Sequence, residues 1–151
     1  MSMIVEESTL LGALQRFFGY ESFKGEQEAI IKNVLEGNDT FVIMPTGGGK
    51  SMCYQLPALI SEGTAIVISP LIALMKDQVD NLRARKIKAV AIYSGMSLKE
   101  IDTTLDNCIY GDIKFLYVSI DRKFWQDSID LALLQHFLTI WINLHSTNRR
   151  M

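Results

Sequence analysis

Phe41-Val42-Ile43-Met44-Pro45-Thr46-Gly47-Gly48-Gly49-Lys50-Ser51 decides how this chain reads. The four apolar residues have the character of a buried strand. Three glycines make the turn that follows, and Lys50-Ser51 opens a segment able to form a helix. A strand, a glycine-rich loop and a helix start in this order suit a phosphate-binding loop. Glycine carries no side chain to keep backbone N–H groups from phosphate oxygens. The helix N-terminus adds unpaired donors and the positive end of a dipole. In such a loop Thr46, Gly47, Gly48 and Gly49 supply the cradle. Lys50 reaches the β- and γ-phosphates of a nucleoside triphosphate, and the Ser51 hydroxyl takes the Mg²⁺ that accompanies it. The plainer alternative is a glycine-rich turn bearing a surface lysine.

Outward from this loop, apolar runs at 65–69, 89–93 and 113–118 join 40–44 as four expected strands. Each is nearly continuous in apolar character, as in parallel strands buried on both faces. The segments between them have helical spacing. In 71–82 the apolar residues at 71, 74, 75, 79 and 82 fall on one stripe. Ser97-Leu98-Lys99-Glu100 has the spacing of a capping box ahead of Ile101, Leu105 and Cys108. Upstream, helices are expected over 9–18, stopped by Gly19, and over 25–36, stopped by Gly37, with Ala29, Ile30 and Val34 among the packing residues. Strands alternating with helices predict an α/β fold with a parallel sheet. The phosphate loop after its first strand makes it an incomplete RecA-like domain.

A chain of 151 residues, 48% apolar and 21% charged, is ordinary for a soluble domain with a real core. The net charge of −2 argues neither for nor against a nucleic-acid partner. Cys53 and Cys108 are far apart and stand in no metal-ligand spacing, so two reduced, packed thiols in a cytoplasmic protein are expected. The first residues lack the basic and apolar regions of a signal peptide, and no run is long enough to span a membrane.

One detail of the loop narrows the choice. The general pattern asks for glycine six residues before the lysine, where this chain has Met44. Met-Pro-Thr-Gly-Gly-Gly-Lys-Ser resembles the first motif of superfamily-two helicases, and specifically of the RecQ family of ATP-dependent DNA helicases. Phe18-Gly19-Tyr20 through Gln27 resembles the element preceding that loop in the family. There an aromatic residue stacks on adenine, a basic residue lies beside it, and a glutamine bonds the base. The matching positions are Tyr20, Lys24 and Gln27, with Lys24 where arginine is common. A glutamine amide offers one acceptor and one donor group, complementary to adenine N6 and N7. On the residues alone, an exposed tyrosine and a solvated glutamine in a turn would serve equally. Ser69-Pro70-Leu71-Ile72-Ala73-Leu74-Met75-Lys76-Asp77-Gln78 resembles the next RecQ motif, which lies by the DNA backbone. The resemblance alone makes Ser69 a DNA contact. Leu71, Leu74 and Met75 are expected to be core.

Residues 115–123 then depart from the family's Tyr-Val-Ser-Pro-Glu-Arg-Leu pattern. Ile120 stands for the proline, Asp121 for the glutamate and Lys123 for the leucine. The resemblance covers roughly residues 10–119, the N-terminal part of a helicase ATP-binding domain, with 120–151 a divergent tail. The family's Asp-Glu-Ala-His box, which organises Mg²⁺ and the attacking water, has no counterpart. Its nearest echo, Ile140-Trp141-Ile142-Asn143-Leu144-His145, holds no carboxylate, and no Asp or Glu follows Asp130. No catalytic residue is therefore assigned. The resemblance implies ATP and Mg²⁺ as ligands, DNA as the parent family's partner, and roles in repair and recombination. The departure at Ile120 suits a truncated or frame-shifted helicase gene, with ATP bound but not turned over at a helicase-like rate, and with weak DNA binding. Three other readings stay open: a nucleotide-binding module, a different P-loop enzyme using Asp121 as its metal-site aspartate, and an unstable piece with exposed apolar edges.

Overall fold

The computed structural model describes residues 7–44 and 49–119. The chain divides into two compact units at Glu62/Gly63.

The first unit is helical as far as it is described. Helix α1 spans Glu7–Phe18, α2 spans Gln27–Leu35 and α3 spans Lys50–Ile60. The i, i+4 pair Leu10 and Leu14 on α1 is fully buried with Ile31 of α2 and Met52 and Leu56 of α3. Leu35, Phe17, Phe18 and Phe23 pack around this cluster. On α2 the inward face is therefore Ile31 and Leu35, while Ala29 is exposed. Gly19 ends α1 in the left-handed conformation, φ 73°, which frees its N–H to close on the Gln15 carbonyl at 2.9 Å. After α2 a polar knot sets the chain's exit: Asn33 donates to Thr40 Oγ1 at 2.8 Å, and Asn38 donates to Asn33 Oδ1 at 3.0 Å.

Residues 40–44, expected as the first strand, form no strand. Their exposure alternates, with Phe41 90% and Ile43 86% exposed. Apolar character and extended backbone are not enough. A strand exists only through ladder hydrogen bonds to a neighbour, and 40–44 makes none with the described residues.

The second unit is α/β. Strand β1 spans Ala65–Ser69, α4 Ile72–Ala84, β2 Ala89–Ile92, α5 Leu98–Tyr110 and β3 Phe115–Ser119. The strands form a parallel sheet in the order β1-β3-β2. Phe115 lies level with Ala65 on one side and Ala89 on the other. All five residues of the central strand β3 are buried, the continuous pattern of a strand covered on both faces. Leu116 and Val118 pack with Ile92 against Ile101, Leu105 and Cys108 of α5. Helix α4 packs on β2 and β3 and buries Met75, Val79 and Leu82. Leu71 and Leu74, expected in the core with Met75, are instead exposed. Helix α4 turns only the stripe running through Met75 inward.

Helix α5 begins with the capping box that the sequence spells. Glu100 N–H donates to Ser97 Oγ at 3.3 Å, and Ser97 N–H donates to Glu100 Oε2 at 2.8 Å. The two bonds satisfy two backbone donors that the first turn of a helix would otherwise leave unpaired.

Candidate nucleotide-binding site

Helix α3 starts at Lys50, and its N-cap is Gly49 in the left-handed conformation, φ 76° and ψ 36°. Gly49 has no side chain with which to cap this helix start, in contrast to Ser97 at α5. Its first-turn donors and the positive end of its dipole therefore face a position where an anion is favoured. Lys50 is exposed at that end, and Ser51 is half-buried one residue further on. Thr46, Gly47 and Gly48, assigned to the phosphate cradle, lie outside the described residues, as do Asp121 and the tail 120–151.

The upstream motif arrives at the same helix start. Gln27 opens α2 and is 3% exposed, not solvated. Its Oε1 accepts the Lys24 N–H at 2.8 Å, and its Nε2 donates to the Gly49 carbonyl at 3.3 Å. A backbone N–H can only donate, so the first bond fixes which end of the amide is oxygen. One amide hydrogen and one oxygen lone pair remain for a further partner. Lys24 contributes to this arrangement through its backbone, and its side chain is exposed. The substitution of lysine for arginine leaves that bond untouched. Tyr20 is 47% exposed, available for stacking on a flat ring.

Cys53, read from the sequence only as a packed thiol, belongs to this neighbourhood. It lies one turn into α3, and its Sγ is 3.8 Å from the Gly49 carbonyl and 3.9 Å from Met44 Sδ. Burial raises the thiol's pKa, so it stays protonated and can donate. The i, i+4 spacing from Gly49 was the available signal. Cys108, in the other unit, is also free and buried.

Ser69 ends β1, and its Oγ accepts the Leu71 N–H at 3.3 Å. The hydroxyl proton is left to donate elsewhere. Among the described residues no cluster of three or more His, Cys, Asp or Glu side chains could hold a metal ion. Among them also, no helix is long and apolar enough to cross a membrane.

Comparison with known proteins agrees with these motifs. The family model for DEAD/DEAH box helicases matches residues 24–132. The chain is 47% identical over 122 residues to the ATP-dependent DNA helicase RecQ of Haemophilus influenzae, covering 81% of this chain and 20% of that protein. It is 51% identical over 110 residues to the Bacillus subtilis protein of the same name, covering 72% of this chain and 19% of the relative. The ATP-dependent helicase wrn-1 of Caenorhabditis elegans is 40% identical over 130 residues, 86% of this chain and 12% of its own length. The chain thus spans about a fifth of the bacterial relatives' length. On this family match and these identities, the chain belongs to the DEAD/DEAH box helicases, on their RecQ branch.

Proposed function

We propose that this chain binds Mg-ATP, with preference for adenine, as the nucleotide-binding part of a RecQ-type ATP-dependent DNA helicase. The observation that carries this reading is the buried Gln27 amide, bonded to the Gly49 carbonyl at the head of α3. It joins the base-side and phosphate-side motifs in one place. Lys50 neutralises phosphate charge there, and the α3 N-terminus supplies N–H donors. The Ser51 hydroxyl is the protein ligand that fits Mg²⁺. Bound Mg²⁺ would neutralise charge on the β- and γ-phosphate oxygens. Tyr20 offers a face to the base, and Gln27 its remaining donor and acceptor. The domain reading follows: residues 1–119 belong to a motor domain whose parent protein couples ATP hydrolysis to DNA strand separation. Ser69 is the proposed backbone contact to DNA.

The test is titration of the purified chain with labelled ATP and GTP in Mg²⁺. Lys50→Ala should weaken both, because it removes a phosphate contact. Equal affinity of the unaltered chain for ATP and GTP would overturn the adenine assignment. In a polypeptide of these 151 residues we expect binding without helicase-like turnover, because no Asp or Glu follows Asp130 to serve as a metal-site box. Phosphate release stimulated by single-stranded DNA and abolished in Asp121→Asn would reverse that reading and make Asp121 the metal-site aspartate.

A further inference from the structure

We infer that the outer edge of β2, with the groove beside its start, is a docking surface for an extended acidic segment of another protein that carries apolar side chains among its carboxylates. The surface lies within the second unit and is independent of the nucleotide-binding reading.

Backbone direction defines the edge. Strand β2 pairs with β3 on one side, and among the described residues it has no strand on the other. The Lys88 carbonyl accepts the Lys114 N–H at 2.9 Å and the Phe115 N–H at 3.3 Å, so it faces β3. Main-chain groups alternate in direction along a strand, so Ala89, Ala91 and Tyr93 turn theirs outward. Side chains of the same unit meet two of these groups. The Ala89 carbonyl accepts from Arg83 Nε at 2.9 Å, and the Tyr93 N–H lies 3.4 Å from Met96 Sδ. Ala91, between them, turns its N–H and C=O toward the strandless side. An extended segment can bond there as a short added strand.

Beside the start of this edge lies an open groove of about 340 Å³. Ile87, Ala89 and Ile113 give it an apolar lining, and Arg83, Lys86 and Lys88 add three exposed cations. Asp112 stands 3.5 Å from Lys88 Nζ, but both partners are largely exposed and such a pair is weak. The dipole of α4 accounts for Arg83, in the last turn of that helix, whereas Lys86 and Lys88 lie beyond it. Lys86 also occupies a position where glycine is the ordinary residue. Its φ is 65°, its N–H closes on the Arg83 carbonyl at 2.9 Å, and the Ile87 N–H closes on the Leu82 carbonyl at 3.0 Å. A positive charge is thus held at the groove against the preference of the backbone.

These features together choose the partner. Phosphates would satisfy the cations but leave the apolar lining and the Ala91 groups unmatched. The place differs as well. Ala89 pairs with Phe115 and Ser69 with Ser119, so the groove and the proposed DNA contact sit four residues apart along β3, about 13 Å, at opposite ends of the parallel sheet. An acidic strand with an apolar side chain matches the cations, the groove and the edge at once.

The probe is a fluorescent peptide, Asp-Ile-Glu-Phe-Asp-Val-Glu-Asp, titrated by anisotropy against the full chain. Beside it run a version with lysine for every acid, one with serine for every apolar residue, one N-methylated at alternate amides, and a thymidine oligonucleotide. The acidic peptide should bind, and more weakly as salt rises. Reversing the rim in Lys86→Glu with Lys88→Glu should weaken it about 10-fold or more, thermal unfolding confirming that the variant is folded. N-methylation and serine replacement should each cost about 3- to 10-fold, and these arms leave the protein unaltered. No peptide binding up to about 1 mM would overturn the inference. So would peptide binding that survives the charge reversal, or equal binding of the lysine, serine or N-methylated peptide. Oligonucleotide binding lost on charge reversal, with the acidic peptide inactive, would also overturn it and make the surface a phosphate contact.

Discussion

The two units solve the problem of an apolar run differently. In the second, the run at 115–119 finds β1 and β2 alongside and helices over it, and every residue of β3 is buried. In the first, the run at 40–44 has comparable apolar character, yet Phe41 and Ile43 face outward. The starts of their helices differ in the same sense. Helix α5 is closed by a reciprocal pair of side-chain bonds. Helix α3 begins on a glycine with no capping side chain, beside an exposed lysine. One start is completed by its own side chains, and the other begins on a residue that has none to offer. The comparison teaches that an apolar run or a helix start has no fixed meaning, and that its neighbours decide whether it stabilises the fold or serves the site.

The strongest test of this contrast sets Phe115→Ala against Phe41→Ser. Phe115 is fully buried at the level where all three strands meet, and its truncation should cost about 3–5 kcal/mol by urea unfolding. Phe41→Ser, at an exposed position, should stay within about 0.5 kcal/mol. A large loss at Phe41 would break the comparison, since it would mean that 40–44 is buried in solution.

A smaller effect sharpens the contrast between helix starts. Ser97→Ala removes the cap of α5 and should cost about 1 kcal/mol. The Glu100 carboxyl is held below its usual pKa, first by the Ser97 backbone N–H and then by the Ser97 hydroxyl. A depressed carboxylate pKa contributes stability that is present above the ordinary carboxylate range and lost as pH falls through the lowered value. The gap between Ser97→Ala and the unaltered protein should therefore narrow on acidification. A gap that does not change from neutral pH to about pH 3 would remove the bond from the Ser97 hydroxyl to the charged carboxylate.

The smallest effect concerns the thiols. Burial pushes Cys108 from the ordinary 9.0 up to about 11. Between those values the unfolded chain ionises while the folded one does not, so stability present below pH 9 is lost as pH rises toward 11. Cys108→Ala should flatten that alkaline decline. At pH 8 the buried Cys108 thiol stays protonated, so alkylation of the native protein should be slow and become fast in denaturant. Rapid native labelling at Cys108 would show that the α5 face of the sheet opens readily.

Much of this protein follows from its sequence alone. The α5 capping box and the glycine stops at 19 and 37 are local features, governed by spacing, side-chain reach and backbone conformation. The RecQ resemblance is legible for the same reason, since the family's motifs hold particular residue types at fixed intervals. Tertiary structure decided the rest. Whether 40–44 pairs, and which of Leu71, Leu74 and Met75 turns inward, depends on neighbours far away in the chain. The bond from Gln27 to Gly49, 22 residues on, was not readable from spacing either. Sequence spacing describes what a segment can do by itself. A hydrogen bond between the start of one helix and the start of another exists only once packing has brought the two together.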